Sequence, residues 1–445
     1  MQGKVLIANR GEIAVRVIRS CRVLGLSPVA VYSDADSESM HVRLSDESYH
    51  IGPSNPARSY LNIEALSQAI TRSGADAVHP GYGFLSENWR FARAVEDLGV
   101  RWVGPSSRVM EKLISKTESR NIARRAGVPV LPGSGMLESY THAKNMAWEI
   151  GAPVLLKADK GGGGKGVRKI SAVDDFTEEL FSTASRESQY AFGSADMYLE
   201  KMAQKPRHIE VQIMADRDGS VTALGERECS VQRRYQKIVE ESPSIAIDGA
   251  RREEVFDYAK RFTSEAGYLN CGTVEFLLDE EGGFRFLEMN KRIQVEHPVT
   301  EMVTGLDLVG MQLMIAFGRN SGIDHDVCPR GHAIECRVYA EDPVSFMPSP
   351  GRIRSLSLPE DEGIRIDHSL EPNSTVSSYY DPLIAKIITH GPDRRTSIAL
   401  MKKALTQTRI EGIKVNTPFL MDIVSSDWFE KGEMHTALID QMNRR

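Results

Sequence analysis

The segment Phe286-Leu287-Glu288-Met289-Asn290-Lys291-Arg292-Ile293-Gln294-Val295-Glu296-His297-Pro298 places two glutamates, two amide side chains, an arginine and a histidine close together in sequence. Upstream lie the apolar, β-rich run 273–278 and the polar connector 279–283, which together predict a β-hairpin with a glycine-containing loop. If Asp279 pairs with Phe284, Glu275 lies opposite Glu288. Because facing carboxylates repel, we predict a hard cation between them, held by oxygen ligands. The alternative is a solvated glutamate in a register shifted by one.

The length and composition of the chain limit the kind of protein that it can be. Its 445 residues suggest about three domains, and its net charge of −6 argues against nucleic-acid binding. The best apolar run, 308–317, is well short of the ~20 residues needed to span a membrane. Arg10 and Glu12 interrupt the first apolar stretch, so no signal peptide is predicted. The 5 cysteines show no metal-type spacing, and we expect reduced thiols in a cytoplasmic protein.

The N-terminal region alternates strand and helix patterns. Residues 4–9 form a buried-type strand, Ile13, Val17 and Cys21 recur at helical spacing, and residues 28–32 form a second strand. This βαβ beginning predicts a doubly wound parallel sheet, in a domain that we place at residues 1–112. Because no GxGxxG motif follows the first strand, a dinucleotide site is not supported.

A glycine-rich loop marks the second domain, predicted at residues 113–320. The apolar strand that carries Lys157 runs into Asp159-Lys160-Gly161-Gly162-Gly163-Gly164-Lys165-Gly166-Val167-Arg168. Consecutive glycines fit neither a helix nor a strand, but they let backbone N–H groups approach an anion closely. We interpret the loop as a lid over nucleotide phosphates. The alternative is a flexible surface turn.

The third domain, predicted at residues 328–437, combines short strands with a helical pattern at 396–406. Alternation in the segment 332–339 places Glu335, Arg337 and Tyr339 on one face of a strand. We therefore predict an α+β domain built on an antiparallel sheet. The whole chain is predicted to be an α/β protein.

Four motifs resemble those of the biotin carboxylase family within the ATP-grasp superfamily. They are ANRGEIAVR (8–16), HPGYGFLSEN (79–88), QRRYQKIVEE (232–241) and EMNKRIQVEHPVTE (288–301). Lys157, the glycine-rich loop and the pair Glu275 and Glu288 resemble the ATP site of the superfamily. The resemblance extends over essentially the whole chain and implies that the central domain is an ATP-grasp domain.

The resemblance also implies an activity, that of a ligase. In this family ATP phosphorylates bicarbonate to carboxyphosphate, and the carboxyl group is transferred to N1 of biotin on a carrier protein. The implied cofactors are ATP, Mg²⁺ or Mn²⁺, and biotin attached to a separate carrier. This is the first half-reaction of a biotin-dependent carboxylase.

The resemblance assigns residues to the nucleotide and its metals. Lys116 and Lys157 would contact phosphates, with the loop 162–166 closing over them. The full set implied for ATP is Lys116, Lys157, Gly162, Gly163, Gly164, Lys165, Gly166, Glu200, Lys201, His208 and Gln232. In this set Glu200 and Lys201 would hold the adenine edge, and His208 and Gln232 would lie near the ribose. Glu275, Glu288 and Asn290 would bind the metals.

Bicarbonate and biotin are assigned to the residues that follow. Lys237, Arg292, Gln294 and the Val295 backbone would hold bicarbonate, and Glu296 would be the general base that deprotonates it. A carboxylate base suits a weak nucleophile, while cations screen its repulsion from the γ-phosphate. Arg337 would stabilise the biotin enolate, and Tyr82 would line the biotin pocket.

Three positions depart from the pattern of the family. Lys291 replaces a small residue, Tyr235 replaces a histidine near the ribose, and Lys165 replaces an arginine in the lid. If the segment 288–296 stays extended, its even-numbered residues share one side. Lys291 would then point to the other side, away from the metal ligands.

Segments that the sequence lacks predict its partners. It contains no Met-Lys-Met biotin-attachment motif and no carboxyltransferase region. We expect a separate subunit that works with a biotin carboxyl carrier protein and a carboxyltransferase, with no membrane partner. We also expect a homodimer, for which Arg16 and Arg19 are candidate contacts. The final acceptor stays open among acetyl-CoA, propionyl-CoA and pyruvate.

Two other functions share part of this pattern. One is a different ATP-grasp ligase, such as a carbamoyl-phosphate or purine-pathway enzyme, and the bicarbonate segment 292–296 with Arg337 argues against the purine interpretation. The other is a non-catalytic ATP-binding protein that only scaffolds a carboxylase, against which the intact set of charged site residues argues.

Overall fold

The N-terminal region folds around a five-stranded parallel sheet. A computed structural model describes residues 1–161, 166–323, 325–327 and 329–442. The strands are β1 (Lys4–Ile7), β2 (Ser27–Ser33), β3 (Glu47–Gly52), β4 (Ala77–His79) and β5 (Arg101–Trp102), in the order β3-β2-β1-β4-β5. The helices are α1 (Gly11–Val23), α2 (Met40–Leu44), α3 (Ile63–Ser73), α4 (Trp89–Asp97) and α5 (Ser107–Lys112).

Helices cover both faces of this parallel sheet. Ile13 and Val17 of α1 pack with Val5 and Ile7 on one side, whereas α3 and α4 pack against Leu6 on the other. Alternate residues of β1 thus face different cores, as a parallel sheet buried on both faces requires. The predicted doubly wound arrangement is confirmed.

The central region contains a small sheet and the start of a large one. Its elements are α6 (Lys116–Arg125), α7 (Tyr140–Ile150), β6 (Val154–Ala158), β7 (Val167–Ile170), α8 (Glu178–Phe192), β8 (Met197–Lys201), β9 (Arg207–Ala215), β10 (Val221–Arg233), β11 (Gln236–Ser242), α9 (Gly249–Ala266), β12 (Asn270–Leu278), β13 (Phe284–Asn290), α10 (His297–Thr304) and α11 (Leu308–Ala316). Strands β7-β6-β8 form the small antiparallel sheet. The residues Gly162, Gly163, Gly164 and Lys165 lie outside the described part of the chain.

The C-terminal region continues the large sheet. Its elements are β14 (His332–Tyr339), β15 (Gly351–Arg352), β16 (Ser355–Ser357), β17 (Ile364–His368), β18 (Thr375–Val376), β19 (Leu383–Gly391), α12 (Arg394–Gln407), β20 (Arg409–Glu411), α13 (Thr417–Val424), α14 (Asp427–Lys431) and α15 (Leu438–Met442). The eight-stranded order is β13-β12-β9-β10-β11-β14-β19-β17. Because β14 pairs antiparallel with β11, the central and C-terminal regions share one sheet and Arg337 lies beside the central strands.

The hairpin of β12 and β13 contains the predicted pair of glutamates, but its strands pair in a different register near the turn. Glu275 does pair with Glu288, but Leu278, not Asp279, pairs with Phe284. A β-bulge between Glu275 and Phe276 adds one residue and restores the register. The two carboxylates therefore face each other, although the predicted turn was one residue out of register.

The longest apolar run, 308–317, forms the buried helix α11. No single helix of the described residues is long and apolar enough to cross a membrane. Helices α10 and α11 reach that length and composition only as a pair, and they meet at an angle of 98°.

Candidate active site

Three carboxylates lie side by side at the end of the large sheet. Glu288 of β13 pairs with Glu275 of β12, which pairs in turn with Glu210 of β9. On β9, period-two alternation turns His208 and Glu210 to this face, while Ile209 packs into the hydrophobic core. A row of acidic groups on one face of a sheet needs cations to balance it.

Lys237 supplies one of those cations. Its ammonium donates to Glu210 Oε2 at 2.5 Å, to Glu275 Oε1 at 2.8 Å and to Glu296 Oε1 at 2.6 Å. Burial alone would lower the pKa of Lys237, but the three carboxylates outweigh burial and raise the pKa well above its ordinary value. Lys237 therefore stays charged and joins the acidic row to Glu296.

Lys116 balances the other end of the row. It lies at the first position of α6, and its Nζ donates to Glu288 Oε2 at 2.7 Å. The Lys116 charge is the largest cause that lowers the pKa of Glu288 to about 2. Lys157 and Arg120 both contact the buried carboxylate of Glu200.

The remaining predicted nucleotide residues occupy two places. Lys201 donates to the carbonyl of Gly151 at 2.6 Å, on the small sheet beside Glu200. His208 and Gln232 contact each other through Nδ1 and Nε2 at 3.1 Å. Burial lowers the pKa of His208, but Glu275, 3.3 Å from its Nε2, helps raise that pKa to about 9.

The amide side chains tie Arg292 to the acidic row. Arg292 donates to Gln294 Oε1 at 2.7 Å and to Asn290 Oδ1 at 3.2 Å. Asn290 and Gln294 each donate from their amide nitrogen to Glu275 Oε1, at 2.8 and 3.0 Å. The amides therefore orient both the cation and the central carboxylate.

Glu296 is a fully buried carboxylate between two cations. Besides Lys237, Arg337 donates from Nη2 to Glu296 Oε2 at 2.9 Å. Burial and Glu210 raise the pKa of Glu296, but Lys237 and Arg337 outweigh them and lower it. An ionised carboxylate in a water-poor site can accept a proton.

The last two predicted substrate residues lie at the edge of this cluster. The Val295 carbonyl accepts from Lys386 Nζ at 2.9 Å. The ring of half-buried Tyr82 has its centroid 5.8 Å from the same Nζ. Both residues thus lie where the N-terminal domain meets β19.

The segment after β13 is not extended, so the condition under which Lys291 would point away from the metal ligands is not met. The strand ends at Asn290, bends over the next residues, and turns before α10. Lys291 is buried, its Nζ donating to the Leu113 carbonyl at 3.3 Å. Its charge is among the causes that lower the pKa of Glu288. Lys291 is therefore an electrostatic neighbour of the predicted metal ligands.

The donor set suits a hard divalent cation. His208, Glu210 and Glu275 place ligand atoms within 4.8 Å of one another, and Glu288 lies next in the row. Carboxylate and amide oxygens are the ligands that Mg²⁺ and Mn²⁺ prefer. The predicted ligands Glu275, Glu288 and Asn290 fit such an ion, which would share carboxylates now held by Lys116 and Lys237.

Sequence reasoning missed Glu210 and Arg227. Arg227 pairs with Glu210 across β10 and β9 and donates to Glu210 Oε1 at 2.5 Å and to Thr300 Oγ1 at 2.9 Å. The alternation of His208, Glu210 and Gln212 was the available signal. It could not be used without the pairing of β9 with β12.

Family models match nearly all of the chain. The model "Biotin carboxylase, N-terminal domain" matches residues 1–110, "Carbamoyl-phosphate synthase L chain, ATP binding domain" matches 115–322, and "Biotin carboxylase C-terminal domain" matches 335–441. Together they follow the predicted order of three domains.

Individual relatives are similar to this chain over nearly their whole length. Biotin carboxylase of Halalkalibacterium halodurans is 47% identical, with 98% of this chain and 97% of that protein covered. A pyruvate carboxylase subunit of Methanothermobacter thermautotrophicus is 44% identical, with 100% and 91% covered.

Solved structures share the fold. The biotin carboxylase domain dimer of Hydrogenobacter thermophilus 2-oxoglutarate carboxylase, in complex with MgADP, ADP and bicarbonate, has a TM-score of 0.95 at 44% identity, with 99% of this chain and 97% of that chain covered. Biotin carboxylase of Campylobacter jejuni, in a β-γ-ATP complex, has a TM-score of 0.95 at 40% identity, with 99% and 98% covered. This chain therefore belongs to the biotin carboxylase family.

Proposed function

We propose that this chain uses ATP to activate bicarbonate and carboxylates biotin carried by a separate protein. The observation that carries this proposal is the position of Glu296. Its carboxylate is buried between Lys237 and Arg337, beside a row of carboxylates suited to a divalent cation. A charged base, an anion-binding cation and metal ligands thus lie within one site.

The first step needs ATP held with its γ-phosphate towards the acidic row. Lys116, Lys157 and the loop 162–166 bind the phosphates, while Glu200 and Lys201 form the adenine edge of the site. His208 and Gln232 hold the ribose side. A divalent cation on Glu275, Glu288 and Asn290 would neutralise the charge that develops on the transferred phosphoryl group. Glu210 extends this set of oxygen ligands.

The second step brings bicarbonate to that phosphate. Arg292, Gln294, Lys237 and the Val295 backbone bind the anion, so its charge is screened as it approaches. Glu296 takes its proton, and an oxygen of the resulting anion attacks the γ-phosphorus while the bond from that phosphorus to ADP breaks, which gives carboxyphosphate and ADP. The short contact between Lys237 and Glu296, 2.6 Å, keeps the base ionised until the substrate arrives.

In the third step carboxyphosphate breaks down, its carboxyl group passes to N1 of biotin, and the released phosphate takes the proton that N1 loses. Arg337 carries a fixed positive charge where β14 meets the central strands, and it stabilises the negative charge on the ureido oxygen of biotin. Tyr82 lines the entrance for the biotin ring. The ring of Tyr82 lies close to Lys386, which contacts the Val295 carbonyl.

The partners follow from the same chemistry. We propose a biotin carboxyl carrier protein, a carboxyltransferase and a second copy of this chain. The similarity to the pyruvate carboxylase subunit of Methanothermobacter thermautotrophicus and to the dimeric domain of Hydrogenobacter thermophilus supports separate subunits and a dimer. Of the two candidate dimer contacts on α1, Arg16 forms ion pairs with Glu301 and Asp307 of its own chain at 2.6 Å. The side chain of Arg19 is more exposed.

Bicarbonate-dependent ATP cleavage, measured with and without free biotin, tests the proposed function. We expect biotin to stimulate the cleavage and to become carboxylated. A folded protein that binds ATP but shows no effect of biotin would contradict the proposal and favour a non-catalytic scaffold. ATP cleavage that needs another acceptor would favour a different ATP-grasp ligase.

A further inference from the structure

Two buried glutamates face each other behind the site. Glu240 of β11 is paired in register with Glu335 of β14, and the two are 1% and 0% exposed. Opposite residues of an antiparallel pair project their side chains from the same face, at contact distance. This face also carries Arg337, two residues beyond Glu335.

The hydrogen bonds of this pair are unevenly distributed. Arg337 donates from Nε to Glu240 Oε1 at 2.6 Å, and its Nη2 lies 2.5 Å from the same oxygen. The other three oxygens, Oε2 of Glu240 and both of Glu335, accept no hydrogen bond from any described residue. A buried carboxylate oxygen without a donor is strongly unfavourable when it is charged.

Cations near the pair are already engaged. Lys386 of β19 points to the Val295 carbonyl at 2.9 Å and to Glu12 at 3.3 Å. Lys237 of β11 binds the acidic row, and Arg227 of β10 binds Glu210. Lys386 lowers the cost of a negative charge on Glu335, and Lys237 that of one on Glu240, but neither forms an ion pair with Glu335 among the described residues.

Further acids surround the pair from the elements packed on it. Glu296 precedes α10, which packs against β11 and β14, and Glu12 of α1 lies 3.3 Å from Lys386. The buried thiols of Cys229 and Cys336 and the buried phenol of Tyr339 are also nearby. The pair thus faces more acidic groups than cations that are free to bind it.

The direction of the pKa shifts agrees with this geometry. Burial raises the pKa of Glu240 to about 7, despite the opposing charge of Arg337. Burial also raises the pKa of Glu335 well above its ordinary value, and Glu240 and Glu296 add to that effect. Two such interacting groups titrate as one unit.

We propose that Glu335 carries a proton at neutral pH and donates a hydrogen bond to Glu240, which remains an anion and positions Arg337 beside Glu296. Glu240 then has a donor for each oxygen, Arg337 from one side and Glu335 from the other. Glu335 and Glu240 are positioning residues, since neither needs to touch substrate. The proposal rests on the proposed function in one respect, the action of Arg337 on biotin.

Infrared spectroscopy detects the proton directly. At neutral pH we expect the carboxylic-acid band of a buried, protonated glutamate in the wild-type protein. Glu335→Gln removes that band, because an amide cannot hold the proton, while Glu335→Asp shifts it. The control is Glu241→Gln on the same strand as Glu240, because the buried Glu241 binds Arg394 at 2.8 Å and has a lowered pKa. This control must leave the band unchanged.

Kinetics with free biotin test the positioning role. Glu335→Gln retains a donor towards Glu240, so the KM for biotin should change less than about twofold, whereas Glu335→Leu should raise it about tenfold, the effect of one lost buried hydrogen bond. The KM for ATP should stay constant in both variants. A merely structural role would predict equal effects of Gln and Leu and a change in both KM values.

The outcomes separate this inference from the proposed function. Absence of the carboxylic-acid band in wild type overturns the shared proton, even if biotin is carboxylated. A band that disappears in Glu335→Gln, in a protein that does not carboxylate biotin, supports the shared proton and contradicts the proposed function. If Glu335→Gln does not fold, the shift in Glu335→Asp decides, and a band unchanged in that variant overturns the assignment.

Discussion

Lys237 Nζ lies 2.6 Å from Glu296 Oε1 and, on its other side, 2.8 Å from Glu275 Oε1. One ammonium therefore touches the proposed base and the central carboxylate of the proposed metal site. A change of charge at one of these carboxylates affects the other through a single buried contact. A divalent cation bound to Glu275 would weaken the contact between Glu275 and Lys237, and the ammonium of Lys237 could then bind bicarbonate.

Replacement of Glu296 separates binding from chemistry. We expect Glu296→Ala to bind ADP as wild type does and to lose at least about 100-fold in bicarbonate-dependent ATP cleavage, the usual contribution of a general base. Calorimetric titration and a phosphate-release assay measure the two quantities. Glu118→Ala, at a partly exposed glutamate on α6, is the control. Turnover that survives in Glu296→Ala would remove Glu296 as the base.

The stability of the protein should depend on the ionisation of Glu288. Lys116 lowers the pKa of Glu288 from 4.5 to about 2, so its stabilising effect is complete above pH 4.5 and is lost as the pH falls towards 2. Because the side chain is 32% exposed, solvent screening reduces this effect to about 1 kcal/mol.

Urea unfolding of wild type and Glu288→Gln measures that effect. We expect the difference in unfolding free energy to be about 1 kcal/mol at about pH 6 and to shrink towards zero below about pH 3. Lys116→Met should abolish the same pH dependence, because it removes the main cause of the shift. A difference that stays constant with pH would mean that Glu288 acts through packing and not through its charge.

The predictions from sequence differ from the observed structure where the pairing of strands determines which residues lie together. The pairing of Glu275 with Glu288 was predicted, but the bulge that produces it was not. Its local signal is the change of phase from the core-facing Phe284 and Phe286 to the core-facing Met289. The turn was therefore predicted one residue out of place. The fold class itself followed from local patterns, such as the βαβ beginning and the alternation near Arg337.

Contacts between distant strands were beyond local patterns. Glu210 alternates with apolar residues as a buried strand would, and nothing local distinguishes it from a solvated glutamate. Only its pairing with Glu275 makes it part of the site. The same holds for β14, whose pairing with β11 brings Arg337 to Glu296 from a different predicted domain. The extended course considered for the segment after Asn290 is absent, because the chain bends there and turns into α10.

Lys291 should weaken metal binding. Its buried ammonium helps lower the pKa of Glu288, so the same charge opposes a cation at that carboxylate. We expect Lys291→Thr to bind Mn²⁺ about threefold more tightly, as one partly screened like charge at this range predicts. Electron paramagnetic resonance counts the free Mn²⁺. Lys112→Thr, at an exposed lysine of α5, is the matched control. Equal affinities would mean that the Lys291 charge does not reach the metal.

Arg337 offers the sharpest test of the biotin step, because its geometry and its charge can be separated. Arg337→Lys keeps a positive charge near Glu240 and Glu296 but loses the planar fork that binds both at once. We expect biotin-independent ATP cleavage to change less than about twofold and biotin carboxylation to fall about 100-fold, since only the latter needs an oriented donor at the ureido oxygen.

The matched control for Arg337→Lys is Arg394→Lys. Arg394 also binds a buried carboxylate of β11, Glu241 at 2.8 Å, but it lies on α12, away from Glu296. A loss of fold stability common to both variants would identify a structural effect. Equal losses of ATP cleavage and biotin carboxylation in Arg337→Lys would mean that Arg337 already acts in the phosphorylation of bicarbonate. The proton transfer to Glu296 would then depend on Arg337.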